Sequence, residues 1–375
     1  MDRIYFDCNA TTPLAPEAAA AMLPYLHSEF GNASSHHWAG ARMRDAIERA
    51  RSQVAALLRC QPGEIVFTSG GTEANNAALA GAFFAQKKSE RPQIISSSIE
   101  HPSVIKTCEF LERLGAVITR VPVDRFGLVD PAEVRRALTA GAILISIMHA
   151  NNEVGTLEPI REIAAIAREQ GVLMHTDAAQ SIGKVPVDVV ELGVDLLTVA
   201  GHKMYAPQGV GALFIREGVQ LEPWLHGAGH EQGRRAGTEN VASIAGLGAA
   251  CEVAEKWIDS PAIRELTSTL WRRLRERFGD RTILNGHPEL RLPNTLNVSF
   301  IGQQGYEILS RMPALAASTG SACHAGTQEM LSPVLRAMGL PLEIGRGAIR
   351  FSLGRSTTLA EVESTVEQLA AIIAK

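Results

Sequence analysis

The chain predicts an α/β protein: a mostly parallel sheet domain followed by a smaller α+β domain. Three observations carry this expectation. Between residues 64 and 215, short apolar, β-branched runs alternate with helical patterns, as they do when strands are covered on both faces by crossover helices. At 375 residues the chain is longer than one core usually organises, so two domains are expected. Hydrophobic residues make up 46% of it, enough to fill both.

In order, residues 64–68 read as a strand and 72–85, rich in alanine, as a helix. Strand 93–97, a helix from Pro102, strand 116–121 and a helix opened by Asp130-Pro131 follow; proline suits a first helical turn. Strand 143–148, helix 159–170 and strands 172–176, 195–199 and 210–215 complete the alternation. Residues 241–278 read as long helix, and strands near 294–300 and 348–353 with intervening helices form the α+β part.

A net charge of -4 leaves no electrostatic footprint for nucleic acid or an anionic membrane surface. There is no apolar run of spanning length and no signal-peptide pattern at residues 1–6, so a cytoplasmic protein is expected. Five scattered cysteines (Cys8, Cys60, Cys108, Cys251, Cys323) with no CxxC pair argue against a disulfide framework and a cysteine zinc site. His36-His37 is set aside as a metal pair because adjacent residues rarely present both imidazoles to one ion, and no metal is expected.

Lys203 stands just past a short apolar strand, among small and glycine residues. A lysine in a crowded, partly dry place loses its proton more readily, as Schiff-base formation with an aldehyde cofactor requires. Asp177, in His175-Thr-Asp177-Ala-Ala-Gln180, ends another apolar strand. Pyridoxal phosphate (PLP) needs two such groups, a carboxylate on its ring nitrogen and an amine on its aldehyde.

The run Thr68-Ser-Gly-Gly-Thr-Glu-Ala-Asn-Asn76 leaves a strand and opens a helix, so its glycines let backbone amides approach a phosphate, although an ordinary strand-to-helix turn looks the same. His101, after a strand end, suits stacking on an aromatic ring and moving protons, or a structural role. His149-Ala-Asn151-Asn152-Glu153-Val-Gly155 offers amides for a phenolate oxygen or forms a polar turn. Cys323, in Ala317-Ser-Thr-Gly-Ser-Ala-Cys323-His-Ala-Gly326, reads as a loop nucleophile or as a small buried hydrophobe. Arg350 interrupts an apolar strand and calls for a substrate carboxylate or a structural ion pair.

With Asp7-Cys-Asn-Ala-Thr-Thr-Pro13, Glu100-His101, Gly201-His-Lys203, Arg235-Ala-Gly-Thr-Glu-Asn240, Gly320-Ser-Ala-Cys323 and Ile349-Arg-Phe-Ser-Leu353, these motifs run in order over nearly the whole chain. Together they resemble the NifS-like cysteine desulfurases, PLP enzymes of the class V aminotransferase group. The resemblance implies a PLP-dependent transferase of fold type I and a homodimer. It also implies a large PLP-binding domain over 13–255 and a small domain formed by 1–12 and 256–375, which carries the Cys loop. It makes Lys203 the Schiff-base lysine, pairs Asp177 with the ring nitrogen and places Gln180 and Asn152 near the ring oxygen. It stacks His101 on the ring as an acid-base group and gives the phosphate to Gly71, Thr72, His202 and the partner subunit's Thr238. It assigns the substrate carboxylate to Arg350 and Asn152, and attack on the substrate sulfur to Cys323.

Two departures bear on this reading. Where the family commonly has serine, this chain has Ala200, which removes or replaces one phosphate hydrogen bond. Cys323-His324 and the later Ser332-Pro-Val-Leu335 resemble selenocysteine lyases. The expected activity is conversion of L-cysteine to L-alanine and an enzyme persulfide, handed to a sulfur acceptor or scaffold protein as in iron-sulfur cluster assembly. The alternatives are a selenocysteine lyase and a non-catalytic sulfur-trafficking scaffold. A PLP aminotransferase is disfavoured because it needs no loop thiol.

Overall fold

The computed structural model describes residues 3–86, 91–319 and 331–373. Its strands in chain order are β1 (Ile4–Tyr5), β2 (Ile65–Thr68), β3 (Gln93–Ser97), β4 (Val117–Val121), β5 (Ala142–Ser146) and β6 (Leu173–Asp177). They continue with β7 (Leu196–Ala200), β8 (Gly211–Ile215), β9 (Thr282–Asn285), β10 (Thr295–Phe300), β11 (Leu315–Ala316) and β12 (Ala348–Ser352). Seven of them form the central sheet, in the order β2-β8-β7-β6-β5-β3-β4. From β7 to β4 all neighbours are parallel, and β8 lies antiparallel between β7 and β2. The interior strands are buried along their length, which explains why they read as mostly apolar runs.

β4 lies on one side of β3 and β5 on the other, so the chain reverses direction across the sheet there. Such a switch point opens a crevice at the carboxyl ends of the strands, where open α/β sheets take ligands. Beneath it His175 bridges three strands, with Nδ1 2.8 Å from Ser146 Oγ and Nε2 3.1 Å from Thr198 Oγ1. Burial pushes this imidazole down to about 4, so it is a neutral cross-strand tie.

The expected long helix over 241–278 is instead two, Val241–Glu255 and Pro261–Phe278. Asp259 sits in the left-handed region at φ 53° and the next residue but one is proline, which cannot continue a preceding helix. The first of the pair packs against Pro16–His27 and Trp38–Leu58, two helices ahead of the strand-helix alternation. Contact is close at Gly248, where an added Cβ would lie 2.7 Å from the Ala50 Cα. His37 caps the second of these helices by accepting from the Gly40 amide.

A second core gathers Ile4 and Phe6 with Leu270, Leu296, Phe351 and Leu369, so the start of the chain packs against its end. Its sheet is antiparallel, β12-β10-β9, and β1 pairs with β11 in parallel. Cys8, Cys108 and Cys251 are buried. No helix among the described residues is long and apolar enough to cross a membrane.

Candidate active site

Asp177 closes β6, Lys203 follows β7 within one turn, and His101 and Asn152 come after β3 and β5, so four strand ends deliver their side chains to one crevice. They line a cavity of about 400 Å³ together with Gly71, Thr72, Gln180, His202 and Arg350. A neighbouring opening of about 390 Å³ shares Ala10, Gly71, Thr72 and His202, and Ser69, Gly70 and Gln208 are among its other lining residues.

Lys203 reaches its position because Gly201 lets the turn press against the chain, where a Cβ would meet the Val210 carbonyl oxygen at 2.8 Å. Its Nζ donates to the carbonyls of Asn9 and Ala10, both at 2.6 Å. Burial, then the nearby Arg350, push its ammonium down to about 8.

Asp177 is buried, and its two carboxylate oxygens accept from Asn75 Nδ2 at 2.8 Å and from the Ala179 amide at 2.9 Å. Because a carboxylate only accepts, the nitrogen end of Asn75 must face it. The same nitrogen donates to Ser103 Oγ at 2.8 Å, and Ser103 Oγ is 2.8 Å from His101 Nδ1. With the Ser103 hydroxyl accepting from Asn75, its proton points to His101 Nδ1, which also accepts the Ser103 amide. His101 therefore carries its proton on Nε2. Burial lowers its proton affinity, reinforced by Lys203 and opposed by Asp177, so it stands neutral.

On the other side, the helix Gly71–Ala85 opens with Gly70 at φ 144° and no side-chain cap, leaving its first-turn amides free for an anion. Gly71 is closely packed, since a Cβ there would lie a tight 3.1 Å from the Ala200 Cβ. Ala200 therefore turns a methyl group to the cavity where a serine hydroxyl was the family expectation. His202 Nδ1 lies 3.1 Å from Thr11 Oγ1, and burial pushes its imidazole down to about 4.

Arg350 makes the structural ion pair that one reading of its sequence called for. It pairs with Asp7 at 2.6 Å and donates to the Asn152 carbonyl at 2.8 Å, yet its Nε is buried without a partner. Asn151 is a turn residue: its side chain accepts the Glu153 and Val154 amides. Thr238 is exposed and lines neither opening. Its segment is anchored at Glu231, which meets Arg51 in a buried bidentate pair at 2.8 Å. Cys323 lies outside the described residues, as does His324. On the described flanks, Ser318 Oγ donates to Asp7 at 2.9 Å and Ser332 Oγ donates to Glu153.

Four residues were not singled out from the sequence: Asn9, Asn75, Ser103 and Lys184. Asn9 joins both parts of the molecule, with its side chain bonded to Thr295, Asn294 and Lys184 and its carbonyl to Lys203 and Gln180. Asn75 lies inside the glycine-rich run, but nothing in that run points it at a carboxylate 102 positions away. Lys184 lies four residues after Gln180, a spacing that brings side chains together only if the segment turns helically.

The class-V aminotransferase family model matches residues 4–365. The chain is 47% identical over 376 residues to the cysteine desulfurase IscS of Dictyoglomus turgidum, covering 99% of this chain and 95% of that protein. Among solved structures, a NifS-like protein superposes with a TM-score of 0.92 at 35% identity over 99% of both chains. One described as SspA in complex with cysteine gives 0.83 at 36% identity, over 93% of this chain and 98% of that one. The fold is that of the type I PLP enzymes, and the chain belongs to the class-V aminotransferase family, within its NifS-like group.

Proposed function

We propose that the protein is a PLP-dependent cysteine desulfurase that converts L-cysteine to L-alanine and leaves the sulfur as a persulfide on Cys323. The observation that carries this reading is the convergence of Lys203, Asp177 and His101 on one cavity beside Arg350. The residues fit the cofactor. A buried carboxylate suits a ring nitrogen, a lysine pushed down to about 8 suits an aldehyde, and an uncapped helix start with a glycine pressed against Ala200 suits a phosphate. When bound, PLP supplies an electrophilic carbon for amines and an electron sink for charge developing at the substrate Cα.

The chain's own groups divide the remaining work. Lys203 holds the cofactor and moves the Cα proton. Asp177 faces the ring nitrogen, and Asn75 and the Ala179 amide hold that carboxylate in place. His101, neutral with its proton on Nε2, faces the cavity as stacking and acid-base group. The remaining N–H bonds of Arg350, which lines the cavity, receive the substrate carboxylate, while Asp7 and Asn152 fix the guanidinium plane. In the net reaction the Cys323 thiolate attacks the substrate sulfur, an S–S bond forms as the Cβ–S bond breaks, and the carbon skeleton keeps the bonding pair and is protonated to alanine. The attachments of Ser318 and Ser332 to Asp7 and Glu153, the neighbours of Arg350, support this role for Cys323. The working unit is a homodimer, with Thr238 completing the partner's phosphate site, a small domain formed by 1–12 and 256–375, and a protein acceptor for the sulfur in the cytoplasm.

Holoenzyme given L-cysteine is expected to release alanine and to carry one persulfide per chain before any reductant is added. Alanine release confined to L-selenocysteine would replace this reading with a lyase. The pH dependence is also fixed. Only the unprotonated amine bonds to an aldehyde, and a lysine at its ordinary value is about 0.3% amine at pH 8. Lys203 is half amine there, so the rate at which cofactor-free protein captures PLP, followed by visible absorbance, should rise with pH through a midpoint near 8. A midpoint near 10 would show an unperturbed lysine.

A further inference from the structure

Lys184 is a second inward-reaching lysine in this chain, and it does not line the cavity. Its Nζ donates to the Gln180 Oε1 at 3.0 Å and to the Asn9 Oδ1 at 3.1 Å. Gln180 in turn donates from Nε2 to the Asn9 carbonyl at 2.9 Å, the same carbonyl that receives Lys203. Both ends of the Gln180 amide are thus assigned by their partners. The ammonium can only donate, so it faces the oxygen, and the carbonyl can only accept, so it faces the nitrogen. A flipped amide would set Nε2 against Lys184 and Oε1 against the Asn9 carbonyl, two mismatches at once. Gln180 is left with one uncommitted N–H, while its oxygen is turned to Lys184.

We propose that Lys184 is a positioning residue: by fixing the Gln180 amide it makes this side of the cavity a donor-only wall that selects the ionised ring oxygen of the cofactor. This rests on the PLP reading above. In pyridoxal phosphate the ring oxygen and the phosphate arm flank the aldehyde carbon on opposite sides. With the ring nitrogen held by Asp177, the aldehyde by Lys203 and the phosphate at Ser69–Thr72, Gln180 and Asn152, which line the same cavity, would be the residues left to hold the ring oxygen. Burial and the neighbouring Lys203 push Lys184 down to about 7; as ammonium it fixes the Gln180 oxygen by donating only, and as neutral amine it still has two hydrogens for its two acceptors while the Asn9 carbonyl holds the Gln180 nitrogen.

The test compares two probes, PLP and its analogue lacking the ring oxygen (3-deoxypyridoxal 5′-phosphate). Apparent dissociation constants are read from quenching of tryptophan fluorescence, with no turnover involved. The parent protein should prefer PLP. Lys184→Met, which removes both donors at similar volume, should cut the preference roughly tenfold, the worth of one hydrogen bond to a charged acceptor. Lys184→Ala is made alongside, so that one folded donor-free variant suffices, and Lys184→Arg, which keeps the donors, should restore the preference. Gln180→Leu should lower it as far by itself, with no further loss on adding Lys184→Met. A purely structural role would weaken both probes equally and leave their ratio at the parental value, and that outcome overturns the proposal. Independent, additive losses from Lys184 and Gln180 overturn it too. Failure of the parent protein to bind PLP at all would instead strike the functional reading.

Discussion

Lys203→Ala is expected to lower alanine release from L-cysteine by about 10⁴-fold or more, the largest effect of any single substitution in this chain. The magnitude follows from what a held amine replaces. Groups fixed in reacting geometry act with effective molarities on the order of 10⁵ M and above, which a free amine in solution does not match. Among the described residues the one other lysine amine in contact with this network, that of Lys184, is committed to Gln180 and Asn9 and lies outside the cavity lining, so it is no substitute. The variant should also lose the visible absorption that the bound cofactor owes to its lysine while still taking up PLP through Asp177 and the start of the helix Gly71–Ala85. An unchanged spectrum with normal alanine production would remove Lys203 from its role.

The parts of this site that sequence reveals are those set by strand ends. A buried parallel strand is mostly apolar, so a charged residue that closes or follows the run marks its carboxyl end, and that is how Asp177 and Lys203 are found. The glycine-rich run at Thr68–Asn76 is legible for a similar reason, because few uses other than a tight strand-to-helix turn require paired glycines. Short elements carry too little periodicity to be seen: β1 and β11 have two residues each, and β9 has four. The join between the helices Val241–Glu255 and Pro261–Phe278 was overlooked because apolar spacing continues across it, although Pro261 marks the break.

Contacts between distant segments were less visible still. The chain from Asp177 through Asn75 and Ser103 to His101 needs three strand-to-helix turns to meet, and each member alone is an ordinary polar residue. Asn9 lies 285 positions from Asn294 and 194 from Lys203, yet it bonds to both. No local pattern distinguishes such a residue, because its importance comes from the packing of the chain's start against its end. Ala200 is the reverse case. The substitution was read from sequence as a lost hydrogen bond, and the structure adds that its methyl group packs where a Gly71 side chain would stand.

Cys323→Ala separates sulfur chemistry from cofactor chemistry, and its effect on L-cysteine turnover should approach that of Lys203→Ala. Cofactor binding and its spectrum should be unchanged, because Lys203, Asp177 and His101 lie together in the cavity and owe nothing to the thiol. Persulfide should vanish, since the proposed acceptor of the substrate sulfur is gone and no other thiol is suited to replace it. Cys8, Cys108 and Cys251 are buried, and burial pushes the thiols of Cys60 and Cys108 up to about 12, far from the ionised form that attacks. Selenium leaves carbon more readily than sulfur and has less need of a nucleophile to pull it away. Part of the L-selenocysteine turnover should therefore survive the substitution while L-cysteine turnover does not. The measurement is alanine release from each substrate by holoenzyme, with persulfide titrated in parallel. Alanine release from L-cysteine at the parental rate would make Cys323 a packing residue and reduce the protein to a PLP enzyme of unassigned reaction. Equal loss on both substrates would keep Cys323 as the nucleophile and show that selenium, too, leaves only when the thiolate takes it.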